Sequence, residues 1–582
     1  MYSQGKSFDF KVLKRTLRYV KPYRILFWFT IIASFILGLL SVSRPYLIKY
    51  AIDDCVLSNN LSGLFNTMIL MIILLIFESV FHFLFIYGAS WIGQNIIQDI
   101  RKDLFKKVLS FKMQYFDQTP IGRLVTRLVS DIEAIAEIFS QGIIIMVGDI
   151  FKIIISIALM FYINSFLSSI TLLVFPLLIL STIWFQRAMK LAFQQVRNQV
   201  SVLNSFVQEH LVGMSIVQIF NREKEELKKF KEINKEHLNA NLNSIWYFSI
   251  FLPIVEVLSA LALALVIWWG GLRTAQNTGV TFGDIVAFIT LINMLFRPIR
   301  QTADRFNVLQ MGMVASDRVL KVLDTSSFIK DNGKMVLSEI KGNIEFKNVN
   351  FSYTDQEQVL QNLSFKINRG ETIAIVGATG SGKTTIINLI LRLYDLSSGE
   401  ILIDGINYKK IKLNSLRKHM SLVQQDVFLF ADSVLNNITL KSKENLQEIK
   451  NAAEEIGLKF FITKLKEGYQ YNIGERGGKL SAGQRQLLAF LRAYVSNPSV
   501  LILDEATSSV DSETEELIHA AIAKITKNRT SIIIAHRLST IQKADKILVL
   551  EKGCLVEQGN HQELLSKGGL YKKLYTVQFK DI

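Results

Sequence analysis

The sequence predicts two folds in one chain: an all-α, six-helix membrane domain with long helical extensions, followed by an α/β domain. Two observations predict this. Half of the 582 residues are hydrophobic, and they are unevenly spread. Residues 1–310 hold long apolar runs and six of the seven prolines, whereas 340–582 reads as an ordinary α/β sequence with one proline, Pro498. The second observation is the stretch "ETIAIVGATGSGKTTIINLI", a β run, a glycine-rich turn and a helix. The expected segments are an amphipathic N-terminal piece (1–24), the membrane domain (25–318), a linker (319–341) and the α/β domain (342–582).

A spanning helix needs about 20 mostly apolar residues to cross a core of about 30 Å. Ile25–Ser43 and Phe166–Phe185 qualify without a single charge. Leu64–Ser90 carries Glu78 and His82, Ile138–Ile163 carries Asp149 and Lys152, and Ser244–Gly271 carries Glu256. The sixth run, Ile285–Phe296, is short and ends at Arg297-Pro298.

Charge sets the orientation. The first, third and fifth connections hold one basic residue, Arg273. The N-terminal segment and the second connection, Ile92–Glu137, hold seven each, and the fourth, Gln186–Asn243, holds nine. Cytoplasmic loops are the basic ones, so these three segments and the α/β domain are expected in the cytoplasm. The net charge of +16 thereby finds its explanation at a membrane surface, and no nucleic-acid partner is expected. Cys55 and Cys554 fall on opposite sides of that membrane and cannot pair. The N-terminal segment is too polar for a cleavable signal and reads as a basic helix on the membrane surface.

The second connection is not loop-like. "IGQNIIQDIRKDLFKKVLSF" repeats an apolar residue every three or four positions, the period of a helix. A helix from Leu64 to Ser110 would be about 70 Å long and project about 40 Å beyond the hydrocarbon. Turns are expected at Phe116–Arg123 and Glu209–Ser215.

In the α/β half, Gly377, Gly382, Lys383 and Thr384 fit G-x-x-x-x-G-K-[ST], with Ala378, Thr379, Gly380, Ser381 and Thr385 completing the loop. Glycines let backbone N–H groups face phosphate, the lysine reaches terminal phosphate oxygens and the threonine hydroxyl suits Mg²⁺. "SVLILDEATSSVD" places Asp504 and Glu505 at the end of a buried β run: a Mg²⁺ ligand and a group able to orient or deprotonate water. "TSIIIAHRLST" brings His536 to the same sheet edge, where ligands bind in parallel sheets. "KLSAGQRQLL" adds a polar turn, Ser481-Ala482-Gly483-Gln484, at a helix start, a second place suited to an anion.

Gly377–Thr384, Gln425, Leu480–Gln484, Asp504–Glu505 and His536 together resemble the ATP-binding cassette family, and the six preceding spans resemble its exporters, so the likeness covers the whole chain. The α/β domain is then a P-loop NTPase of the ABC type. The resemblance implies that two such half-transporters pair, as a homodimer or a heterodimer, and that each ATP, with Mg²⁺, is closed between the phosphate loop of one chain and the Ser481 turn of the other. It implies that Tyr353 stacks on adenine, Gln425 senses Mg²⁺, Asp511 crosses the dimer interface, Glu505 and His536 drive hydrolysis, and the two cytoplasmic tips couple the halves. It implies a plasma (inner) membrane location in a bacterium. Ala482 departs from the commoner glycine of this signature, which keeps a heterodimer open.

An exporter or flippase of amphipathic small molecules or lipids is the expected function. A nucleotide-gated channel or regulator, or a peptide exporter, are alternatives on the same scaffold. Intramembrane charges are functional candidates by default. Glu78, His82, Asp149, Lys152, Glu256 and Arg297 are of mixed sign: the basic ones suit an anionic headgroup, the acidic ones a cationic drug, and mutual pairing is equally open.

Overall fold

The computed structural model describes residues 10–276, 278–329, 331–354, 357–440, 445–504, 512–534 and 538–579. Two compact units emerge. One comprises the described residues up to Leu109 with Ile121–Thr325; the other comprises Ser110–Pro120 with the described residues from Ser326 onwards.

Among the described residues of the first unit, six helical stretches are long and apolar enough to cross a membrane: Lys11–Val56, Leu61–Leu109, Ile121–Ile163, Ser165–Val212, Glu223–Ala275 and Phe282–Gln301. Backbone polar groups in hydrocarbon must be satisfied within the segment, which a helix achieves. The second stretch is one helix of 49 residues, about 73 Å at 1.5 Å per residue. It leaves Leu70, Ile72, Ile76 and Phe83 exposed on the unit's surface, as lipid contact requires. Between the fourth, fifth and sixth helices lies an aromatic core, with Phe185 stacked on Phe251 at 4.0 Å and Phe288 and Phe296 fully buried beside them.

The sixth helix does not stop at Pro298. It continues to Asp324 with the proline inside it. A proline removes one hydrogen bond and bends a helix, but neighbouring helices sustain the continuation. Its start is firmly fixed. The Thr281 hydroxyl accepts from the Asp284 N–H at 3.1 Å, and the Asp284 carboxylate accepts from the Thr281 N–H at 3.1 Å. Asp53, from the first connection, accepts from the Thr281 hydroxyl at 2.5 Å and the Gly283 N–H at 2.9 Å. A Cβ at Gly283 would lie 2.5 Å from the Asp53 carboxylate, so this approach needs glycine.

The N-terminal piece forms a helix, Phe10–Thr16, and a 3₁₀ turn, Leu17–Tyr23. Arg15 pairs with Asp324 at 2.5 Å, and the Tyr23 hydroxyl donates to Asp99 at 2.8 Å. The second turn falls where it is expected, whereas the first begins earlier, at 110–112, and only Thr119 and Pro120 of the expected Phe116–Arg123 lie outside helix. Lys112 is extended, a short helix Met113–Gln118 follows, and the chain re-enters helix at Ile121. The other tip breaks at Gly213, forms Met214–Ile219, and resumes at Glu223.

The second unit holds ten strands: β1 Ile344–Thr354, β2 Glu357–Ile367, β3 Thr372–Gly377, β4 Ser398–Ile403, β5 Ile406–Asn407, β6 Met420–Val423, β7 Val500–Asp504, β8 Thr530–Ile534, β9 Lys546–Glu551 and β10 Cys554–Gly559. An antiparallel sheet runs β2-β1-β4-β5, and a six-stranded sheet runs β10-β9-β3-β8-β7-β6. Its strands pair in parallel except at the β9–β10 edge. Covered on both faces, these strands are apolar throughout, and alternate residues enter different cores. Ile373, Ile375, Ile502 and Ile532 enter one; Ala374, Val376, Leu501 and Ile533 enter the other. The register aligns Val423 with Leu503 and Asp504 with Ile534, so β6, β7 and β8 end level at their carboxyl edge. Cys55 and Cys554 are free thiols.

Replacing Thr281 by valine removes the hydroxyl cap and costs the sixth helix about 1 kcal/mol. Amide exchange at 283–285 should accelerate about fivefold, and unchanged exchange would show that Asp53 alone secures this end.

Candidate nucleotide site and membrane cavity

The phosphate loop closes β3. Gly380 and Gly382 have φ of +82° and +97°, which a side chain resists. A Cβ at Gly382 would also lie 2.6 Å from the Leu360 side chain, and one at Gly377 would lie 2.4 Å from the Leu550 carbonyl oxygen. Helix Lys383–Ile390 follows directly. The buried Lys383 ammonium donates to the carbonyls of Gly377 at 2.8 Å and Ala378 at 3.0 Å. Burial pushes its pKa down, and the Asp504 carboxylate opposes that shift. The loop thus presents a desolvated cation and first-turn N–H groups to one spot, an anion cradle.

Asp504 ends β7, and Gln425 sits exposed two residues beyond β6, so both belong to the same sheet edge as Gly377. Glu505, Asp511 and His536 lie outside the described residues.

Tyr353, at the end of β1, belongs to this site by contact. Its hydroxyl lies 3.2 Å from the Thr385 hydroxyl and accepts from the Asn388 amide at 3.3 Å. Its ring meets Phe351 and Tyr394 edge-on, at 4.8 and 5.1 Å. The short helix Met113–Gln118 reaches the same cluster. The Gln114 side-chain amide donates to the Tyr353 carbonyl at 3.3 Å, and the Tyr394 hydroxyl donates to Asp117. Burial first, and then that bond to a carboxylate, push the Tyr394 phenol above its usual range. Gln114 and Asp117 escaped the sequence reading because a polar residue in a polar tip carries no local signal of its partner.

The second anion-suited turn is a capping box. Ser481 Oγ accepts from the Gln484 N–H at 3.2 Å, and Gln484 Oε1 accepts from the Ser481 N–H at 3.0 Å. The Ser481 O–H and the first-turn N–H groups of Ala482 and Gly483 are left as donors. Ser481 and Ala482 are exposed and Gly483 is buried. The Ala482 methyl group therefore obstructs nothing in its own chain. Among the described residues no hydrogen bond or ion pair joins this turn to the phosphate loop of the same chain.

In the membrane unit a cavity of about 470 Å³ opens among the first, second, third and sixth helices. Five of the six intramembrane candidates line it: Glu78, His82, Asp149, Lys152 and Arg297. Glu256 does not, and pairs with Arg300 at 2.6 Å. Glu78 pairs with Arg44 and Asp149 with Arg305. Each carboxylate thus finds an arginine on another helix. Those arginines went unnoticed because they flank the apolar runs.

Membrane-crossing helices carrying a phosphate-gripping α/β unit define a class: an integral membrane protein powered by a nucleoside triphosphate. Comparison makes it specific. The ABC transporter transmembrane region family model matches residues 27–299, and the ABC transporter model matches 360–508. The chain belongs to the ABC transporter family. It binds ATP and couples its hydrolysis to transport, with one membrane and one ATPase domain, the architecture of a half-transporter. It is 36% identical to YknV, an uncharacterized ABC transporter ATP-binding protein of Bacillus subtilis, over 99% of this chain and 96% of the relative. An ATP-dependent lipid A-core flippase of Syntrophus aciditrophicus is 35% identical, over 98% and 95%. YgaD of Bacillus subtilis, named for multidrug export, is 33% identical, over 97% and 99%.

Gly382→Ala combines a clash with Leu360 and a disfavoured φ. ATP affinity measured calorimetrically should fall at least about tenfold, a loss of about 1.4 kcal/mol or more. Unchanged affinity would mean that the loop is not the phosphate grip.

Proposed function

We propose that the chain is one half of an ATP-driven exporter or flippase that moves amphipathic small molecules or lipids out of the cytoplasm or inner leaflet. It works in a bacterial inner membrane with the nucleotide unit in the cytoplasm. The observation that carries the reading is the pairing of a charged cavity inside the membrane unit with an intact phosphate cradle in the same chain. Relatives named for lipid flipping and for multidrug export support the class of cargo.

In this reading Gly377–Thr385 and the Lys383 ammonium hold the phosphates, and Tyr353 stacks on the base. Thr384, Gln425 and Asp504 offer a hydroxyl, an amide and a carboxylate, hard oxygen donors of the kind Mg²⁺ takes. The metal ion, when bound, neutralises charge on the phosphates. Glu505 orients and deprotonates the attacking water, and His536 supports the terminal phosphate. Ser481, Ala482, Gly483 and Gln484 present their donors to the ATP of a partner chain, and Asp511 lies at that interface. The exposed donors at the Ser481 turn and the intact cap around Ala482 support a working signature turn, and so a homodimer. Binding of ATP by both chains draws the nucleotide units together and turns the cavity outward; hydrolysis resets it.

Glu505→Gln in the reconstituted protein should lower ATP turnover by at least about a hundredfold while ATP still binds, the scale of a lost general base. Turnover like that of the unmodified protein would remove Glu505 from the mechanism. Lys383→Ala should instead weaken ATP binding itself. A purified chain that turns over only when a second, different half-transporter is added would replace the homodimer by a heterodimer.

A further inference from the structure

The fourth and fifth helices of the membrane unit meet at a tip whose own residues bury little. Helix Met214–Ile219 has no buried residue, and Val212, Ile219 and Phe220 are largely exposed. Packing does little to order such a segment, so the joint between its two flanking helices matters. That joint is made by His210, in the last turn of the fourth helix, and Glu226, in the first turn of the fifth. The imidazole Nε2 lies 2.8 Å from a Glu226 carboxylate oxygen, and Nδ1 lies 2.8 Å from the Phe206 carbonyl oxygen. The Phe206 ring stacks on the imidazole, with centroids 3.8 Å and planes 19° apart, and meets Phe230 of the fifth helix at 6.1 Å. His210 lies 25 residues past Phe185, where the apolar run ends. At 1.5 Å per residue that is about 37 Å along the helix, well clear of the hydrocarbon.

Both partners of this imidazole are acceptors. A neutral imidazole carries one N–H, so it donates to one of them and turns a lone pair on the other. The imidazolium donates to both, and as a cation it also gains from lying on the Phe206 face. We propose that His210 is a proton-operated clasp: protonated, it ties the fourth helix to the fifth and orders the tip at 213–222; deprotonated, it loses one arm and the tip loosens. The surrounding charges make the histidine the group that titrates. On the fifth helix, Lys229 at 2.9 Å and Arg222 at 4.0 Å share the Glu226 carboxylate and keep it ionised, while Arg222 also takes Glu225 at 2.7 Å. The fourth helix adds the negative charge of Glu209, and Met214–Ile219 holds no titratable side chain. The Glu226 carboxylate first, and then the Phe206 carbonyl, raise the imidazole pKa above its ordinary value. The clasp is therefore whole below the ~6.5 of a free histidine and is lost as pH rises through the higher, folded value. The two side chains are 22% and 15% exposed, beside a hollow of about 570 Å³, so water reaches the ring.

The test is hydrogen exchange of the full-length protein in phosphatidylcholine vesicles, read by mass spectrometry over 213–222 at pH 6 and pH 8. Each rate is divided by that of an unstructured peptide at the same pH, which leaves protection alone. In the unmodified protein protection should fall about fivefold from pH 6 to pH 8, the scale of one net hydrogen bond. Peptides from the nucleotide-unit strand Thr372–Gly377 should show no such fall. His210→Gln removes the titrating group, so protection of the tip should be low and alike at both pH values. Glu226→Gln separates charge from fold. Its amide N–H donates to Nε2 of a neutral imidazole while Nδ1–H still donates to the Phe206 carbonyl. Protection should then stay within about twofold between pH 6 and pH 8. ATP binding by each variant reports that it has folded. Equal protection at both pH values in the unmodified protein would overturn the proposal. So would a fivefold fall that persists in Glu226→Gln or in His210→Gln.

Discussion

The Lys383 ammonium is the constraint on which the rest depends. It is buried, and its partners are two carbonyl dipoles of its own loop. Carbonyls satisfy its hydrogen bonds but leave its charge largely uncompensated, which is why burial lowers its pKa. An anion brought to that spot gains both the charge and the N–H donors of the following helix. The glycines at 377, 380 and 382 exist to let the backbone curve around it: side chains there would strike Leu550 and Leu360 or strain the chain. Backbone shape and one desolvated charge thus make this loop suited to an anion.

The same physics recurs in the membrane unit with a different balance. There, arginine–carboxylate pairs between helices neutralise Glu78, Asp149 and Glu256. Such pairs allow charged groups to exist within apolar bundles, although they contribute little net stability once desolvation is counted. Met113–Gln118 follows the second long helix in sequence and packs within the nucleotide unit, through Gln114 on the Tyr353 carbonyl and Asp117 on Tyr394.

Much of this was legible in the sequence. Apolar runs of about 20 residues marked the spans because hydrocarbon tolerates little else. β7 and β8 were legible because strands covered on both faces are apolar throughout. The phosphate loop was legible because its glycines answer to backbone geometry that no other residue meets. Pairing between helices was not. Glu78 and His82 read as neighbours on one helix, whereas Glu78 meets Arg44 on another, and sequence spacing does not encode which helix lies alongside. Pro298 read as a terminator because local rules do not register the packing that carries the helix past it. The Ser481 turn was legible as a polar turn at a helix start, but its reciprocal cap with Gln484 emerges only from three-dimensional geometry.

Among the described residues the Ser481 turn makes no bond to its own phosphate loop, and in the proposed dimer it serves the partner. The most direct measurement is a cross-link between two differently marked chains. The only cysteines, Cys55 and Cys554, are replaced by alanine and serine, and Glu505→Gln is added to hold ATP. One chain carries Thr379→Cys, and the co-expressed other carries Ala482→Cys. The account predicts a disulfide-linked dimer that forms on adding ATP and not without it. A cross-link that forms only when both cysteines are on one chain, or that is indifferent to ATP, would contradict it.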